Sequence, residues 1–69
     1  MTLTELRESI PMTVAELGQA AGVDQQTIRN AEAGQRVNVR TARAIAQALT
    51  KELGRTIRVQ DIDGLQVRW

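Results

Sequence analysis

The sequence has no cysteine, histidine, tyrosine or phenylalanine; Trp69 is its one aromatic residue and Pro11 its one proline. Without cysteine there is no disulfide, and without cysteine or histidine there is no zinc-finger site, so a small core must hold unaided. The same absences remove the usual nucleophile–base pairs and imidazole ligands, and the carboxylates are scattered rather than paired. No enzyme activity, metal or cofactor is expected. One aromatic side chain is too few for the stacking platform of an RNA-binding sheet. Gly18, Gly22, Gly34, Gly54 and Gly64 form no glycine-rich phosphate loop. No apolar run approaches the ~20 residues of a membrane span. Met1–Ile10 sets Glu5 and Glu8 against Arg7, which is unlike a signal peptide, so a cytoplasmic chain with no membrane role is expected.

What remains is 69 residues, 42% hydrophobic and mostly aliphatic, enough for one domain spanning 1–69. Chains of this length have little stability to spare, which favours packed helices and a partner subunit. The net charge of +1 conceals a partition. Met1–Ile28 carries −3, Arg29–Arg58 carries +5 through Arg29, Arg36, Arg40, Arg43, Lys51, Arg55 and Arg58, and the remainder carries −1. A basic middle segment between acidic ends suits a one-sided, phosphate-facing surface as well as a solvated arginine-rich face.

Leu3, Leu6 and Ile10 have helical spacing, and Pro11 stops that helix. Thr13 and Glu16 form a capping box for a second helix with Val14, Leu17 and Ala21 inward, ending at Gly22 in left-handed geometry. Asp24 is a suitable N-cap for a third helix that runs to Gly34. Asn38 is suited to cap a fourth, with Ala42, Ile45, Ala46, Leu49 and Leu53 as its buried stripe and Gly54 as its end. Beyond it, Val59–Asp63 reads as a turn or one-turn helix followed by an extended tail. A hairpin of Thr56–Val59 with Leu65–Trp69 is the rival.

The informative pattern is Leu17, Gly18, Ala21, Gly22, Val23, Ile28 and Ala31. Where two helices cross steeply one residue must be small, and Gly18 accepts about 1 kcal/mol of helix penalty for that. Val23 and Ile28 fill the angle, while Leu17 and Ala31 face the bundle. On these residues, over about Leu3–Leu53, the chain resembles the helix-turn-helix family of phage repressors and Cro-like regulators, often called the XRE family.

The resemblance implies an all-α, lambda-repressor-like bundle of four to five helices with a short extended C-terminal tail. The helix-turn-helix would span about 13–33 and the C-terminal extension 55–69, with the third helix in the DNA major groove, usually in a dimer. It assigns Gln25, Gln26, Arg29 and Asn30 to base edges or the adjacent backbone. Their chemistry agrees, because Gln and Asn pair with adenine and Arg with guanine. The start of that helix, Gln25-Gln26-Thr27, turns partial positive charge toward phosphates. Thr13, Thr27, Arg36, Asn38, Arg40 and Arg43 are the backbone-contact candidates. Arg7 and Glu32 match an ion pair that ties the first helix to the end of the third.

Three positions depart from the family pattern. Val14 replaces a phosphate-contacting Gln, and Ala31 replaces a larger apolar residue, implying looser packing or compensation by Leu3 or Trp69. Lys51–Arg58 lengthens the connection after the fourth helix. The expected function is a sequence-specific, repressor-like transcriptional regulator acting on double-stranded DNA as a homodimer. Its relatives include the antitoxins of toxin–antitoxin pairs, so a toxin-like protein partner is one expectation. The other class of function is a helical protein-interaction module that has lost DNA binding. The tail residues Leu65, Val67 and Trp69 are expected either to dimerise or to cap the chain's own core.

Overall fold

Two Thr-x-x-Glu boxes set the first two helix starts. The computed structural model describes residues 1–69, with α1 over Leu3–Ser9 and α2 over Val14–Ala21. The Thr2 and Thr13 hydroxyls accept from the amides of Glu5 and Glu16 at 3.2 and 3.1 Å. Both glutamates accept in return from the threonine amides at 2.8 Å. Caps of this kind contribute about 1 kcal/mol each, which matters for helices of only seven and eight residues.

Gly22 ends α2 at φ 72°, and the Val23 amide donates back to the Gly18 carbonyl at 2.9 Å, a Schellman closure. Then α3 runs over Gln25–Glu32. Asp24 is its N-cap, as the sequence suggests, with the extended backbone of that position, although its side chain makes no cap bond. Its carboxylate is exposed and keeps its hydration at little cost, while the Thr27 and Ile28 amides bond to its carbonyl.

The reason α2 and α3 meet so closely is Gly18, which is buried. A Cβ there would lie 2.9 Å from the Val23 carbonyl oxygen and 3.4 Å from the Gln25 backbone. Leu17, Ile28, Ile45 and Leu49 are fully enclosed beneath this crossing, and Leu3, Leu6, Ala31 and Ile62 are among those that complete the core. No charged or polar side chain is buried. The last long helix, α4, covers Val39–Leu53. Asn38 caps it by accepting from the Thr41 amide at 2.8 Å. Its alanines at 42, 46 and 48 are buried, whereas Leu53 is only half-buried.

After Gly54 the chain folds back. The Thr50 hydroxyl accepts from the Ile57 amide and donates to the Ala46 carbonyl, both at 2.9 Å, which pins the return to α4. A single 3-10 turn at Val59–Asp61 follows, within the Val59–Asp63 segment expected to form a turn or one-turn helix. The rival hairpin does not form. Instead Gln66–Arg68 (β2) pairs in parallel with Arg36–Asn38 (β1), in the register Arg36–Gln66, Val37–Val67 and Asn38–Arg68. Parallel strands need a crossover, and α4 supplies it. The all-α bundle therefore carries one small strand pair on its surface.

Ala31 borders a partly open cleft of about 90 Å³ together with Leu3, Thr4, Glu32, Asp63 and Leu65. Ala31 itself is buried and leaves this cleft beside it, which Trp69 does not fill, since it is 82% exposed. Leu65 and Val67, by contrast, pack partly buried on the chain's own core.

Two stability measurements follow from this packing. Gly18→Ala should lower stability by about 1–3 kcal/mol, because the clash is with backbone and outweighs the better helix propensity. Ala31→Leu should raise it by about 1 kcal/mol by extending apolar contact into the cleft beside Leu3 and Leu65. Urea midpoints at constant m read both; a stabilised Gly18→Ala variant or a destabilised Ala31→Leu variant would contradict the packing described.

Candidate nucleic-acid interface

Helix α3 has one side locked and one side free. Ile28 and Ala31 are buried, while Gln25, Gln26 and Arg29 are exposed and Asn30 is half-buried. The four polar residues share one helical face by their spacing. Gln26 Nε2 donates to Asn30 Oδ1 at 3.0 Å, so these two amides hold each other in place. Gln26 Oε1 and the Asn30 NH2 group remain available, a donor and an acceptor set side by side. Thr27, on the flank of this face, is half-buried.

Chain geometry beyond α3 presents a second polar surface. Gly34, at φ 86°, reverses the chain, with the Gln35 amide bonded to the Asn30 carbonyl at 3.0 Å. In β1 the alternation of a strand turns Val37 into the core and Arg36 and Asn38 outward. The Asn38 carboxamide oxygen is used by the cap, which leaves its NH2 group free to donate. Arg40 and Arg43 are exposed one helical turn apart at the start of α4, where the helix dipole adds positive potential. Thr13 is exposed at the start of α2; its hydroxyl oxygen accepts in the capping box and its proton is free. Val14 is half-buried against the core and offers no polar contact.

Arg7 and Glu32 stand apart from these surfaces. Arg7 Nε donates to Glu32 Oε2 at 2.7 Å and its Nη2 to Oε1 at 3.2 Å, with both side chains about one-seventh exposed (14% and 13%). Thr4 donates to the same carboxylate at 2.8 Å, and Arg7 Nη1 donates to the Met12 carbonyl at 2.8 Å. One guanidinium thereby joins α1, the α1–α2 connection and the end of α3. Burial opposes ionisation of Glu32, but hydrogen bonds from Arg7 and Thr4, with the Arg7 charge, outweigh it and hold the carboxyl below its ordinary range. Hydrogen bonding to Glu32 correspondingly raises the Arg7 guanidinium.

Besides Arg7, none of the nine Lys and Arg side chains has a carboxylate within 4.0 Å. A family model for the helix-turn-helix domain matches residues 3–55. The chain belongs to the XRE helix-turn-helix family. Comparison with curated proteins and with solved structures gives no match. The XRE family is one of DNA-binding regulators, generally without enzymatic activity. No helix is long and apolar enough to cross a membrane. The matched region contains every interface candidate named from the sequence. It ends before β2, whose Gln66 and Arg68 lie on the same side of the strand pair as Arg36 and Asn38. No local signal reveals those two; only the register does.

The ion pair makes a testable demand. Removing one partner leaves a partly buried charge, so Arg7→Met should cost about 3 kcal/mol, and less when combined with Glu32→Leu. Because Glu32 is depressed in the folded chain, its contribution is complete above the ordinary carboxylate range and is lost as pH falls through the folded value. Urea titrations from pH 7 to pH 3 should show that decline in the wild type and a shallower one in Glu32→Gln. Additive single variants would reject the coupling.

Proposed function

We propose that residues 1–69 form a single sequence-specific, repressor-like regulator whose recognition helix, 25–33, enters the DNA major groove. The observation that carries this reading is the polar face of exposed Gln25, Gln26 and Arg29 with half-buried Asn30, on a helix fixed from behind by the Gly18 crossing. Gln26, braced by Asn30, presents the paired donor and acceptor that adenine N7 and N6 require, and Arg29 suits guanine. Thr13, Thr27, Arg36, Asn38, Arg40 and Arg43 serve as backbone contacts that set the register. Arg7 and Glu32 are structural.

A homodimer reading two half-sites about one helical turn apart completes the proposal, since one domain this small contacts few base pairs. Regulation through abundance, competition for sites or a protein partner such as a toxin fits a domain that consists of the DNA-reading unit. The half-buried Val14 favours the second reading, a protein-interaction module, because it removes a phosphate anchor at the start of α2. Eight unpaired basic side chains favour DNA.

Binding-site selection from a random duplex pool tests the proposal. The expected product is a two-fold symmetric site with half-sites one turn apart. Across a salt series a dimer using about six phosphates should show a log–log slope near −5. Gln26→Ala should relax sequence choice, whereas Arg36→Ala should weaken all duplexes alike and reduce the slope by about one. No binding to any duplex at low salt would leave the protein-interaction module.

A further inference from the structure

We propose that the C-terminal strand β2 extends the DNA-backbone surface beyond the matched helix-turn-helix, with Arg68 as an additional phosphate-contacting residue beside Arg36 and Asn38. The inference rests on the DNA-binding reading above and adds to it a segment that lies outside residues 3–55.

The register carries it. Paired residues of adjacent strands point to the same side, so the pairs Arg36–Gln66 and Asn38–Arg68 place all four side chains on one face, and Val37 and Val67 on the other. The burial follows suit: Val37 is buried and Val67 half-buried, while Arg36, Asn38, Gln66 and Arg68 are exposed. Arg68 thus sits one strand spacing, about 4.8 Å, from Asn38, the residue that opens α4. It has no carboxylate within reach, and neither has Arg36. Two arginines, with the free donor groups of Asn38 and Gln66, make a donor-rich ledge directly after the turn that leaves α3. A polyanion matches that chemistry. The turn fixes the ledge relative to the recognition face, since Gly34 and Gln35 are bonded to the last turn of α3. Just past the end of the same strand, next to Arg68, Trp69 is exposed and is the only tryptophan, so its emission reports on the surroundings of this end of β2.

The test compares wild type, Arg68→Ala, Arg68→Lys and Lys51→Ala on one random-sequence duplex across a salt series. Lys51 lies about 18 Å along α4 from its start, away from the ledge. Arg68→Ala should weaken binding and reduce the magnitude of the slope by about one, Arg68→Lys should keep the slope, and Lys51→Ala should match the wild type. Trp69 emission should change as duplex saturates the wild type. Urea midpoints equal to the wild type's confirm that the variants keep their fold. An unchanged slope in Arg68→Ala while the wild type binds overturns the role of β2 and spares the DNA-binding reading. Failure of the wild type to bind at low salt overturns both. Trp69 emission that responds to protein concentration and not to duplex also overturns the proposal, by marking β2 as a contact between copies.

Discussion

The backbone contact at Gly18 is the constraint on which the rest of the structure depends. With a Cβ at that point α2 must move off the Val23 carbonyl, and the start of α3 moves with it. The polar face of α3 is useful only if its pose relative to the bundle is fixed, and an eight-residue helix cannot fix itself. Its pose is set at both ends. At the N-terminal end stands the close approach to Gly18, with Ile28 enclosed behind it; at the C-terminal end stands the Arg7–Glu32 pair, reaching from α1. The residues between are free to be chosen for what they touch rather than for packing.

Arg7 shows how sparingly charge is spent on the fold itself. Its guanidinium satisfies the Glu32 carboxylate and the Met12 carbonyl at once, so a partly buried ion does the joining that a 69-residue core does by contact elsewhere. Every other Lys and Arg side chain is left without an anionic partner, and the core contains no polar side chain that needs one. Exposed ion pairs contribute little to stability in any case, so withholding arginines from them costs the fold almost nothing. A surface of unpaired cations is costly to bring together only until a polyanion neutralises it.

Most of the helical frame was legible in the sequence because its signals are local. Thr13-x-x-Glu16, Gly22, Asn38 and Gly54 act on backbone groups within a few residues, and the Ala42–Leu49 stripe repeats often enough to show its period. The Thr2–Glu5 box at the start of α1 is a signal of the same local kind. Asp24 is equally legible as an N-cap position from its residue type, although that type does not dictate whether the carboxylate closes the capping bond, and here it does not. Strand β1 left no trace, since three residues with one apolar side chain have no measurable alternation and their partner lies thirty residues on, across α4. The tail was ambiguous for the same reason. Leu65, Val67 and Trp69 alternate as a strand does, but alternation alone does not name the partner strand. Of the site residues, types and spacing were readable, whereas the Gln26–Asn30 bond and the shared face of Arg36 and Arg68 depend on rotamer and register.

A parallel pair of three-residue strands has too few hydrogen bonds to persist alone. What holds β2 is the inward side of the pair, where Val37 is buried and Val67 rests on the core, together with the return anchored by Thr50 on Ile57. The outward side contributes nothing to that attachment, so its residues answer to another requirement. A charged residue on an exposed edge also discourages strand-to-strand association between molecules. Arg68 meets that requirement with the same charge that suits a phosphate, and lysine would serve the first purpose as well as the second. Edge protection, however, makes no demand on the residues across the pair. That Arg36 faces the same way, on a strand whose position is dictated by the turn after α3, is a coincidence under edge protection alone and a necessity for a surface that continues the recognition helix.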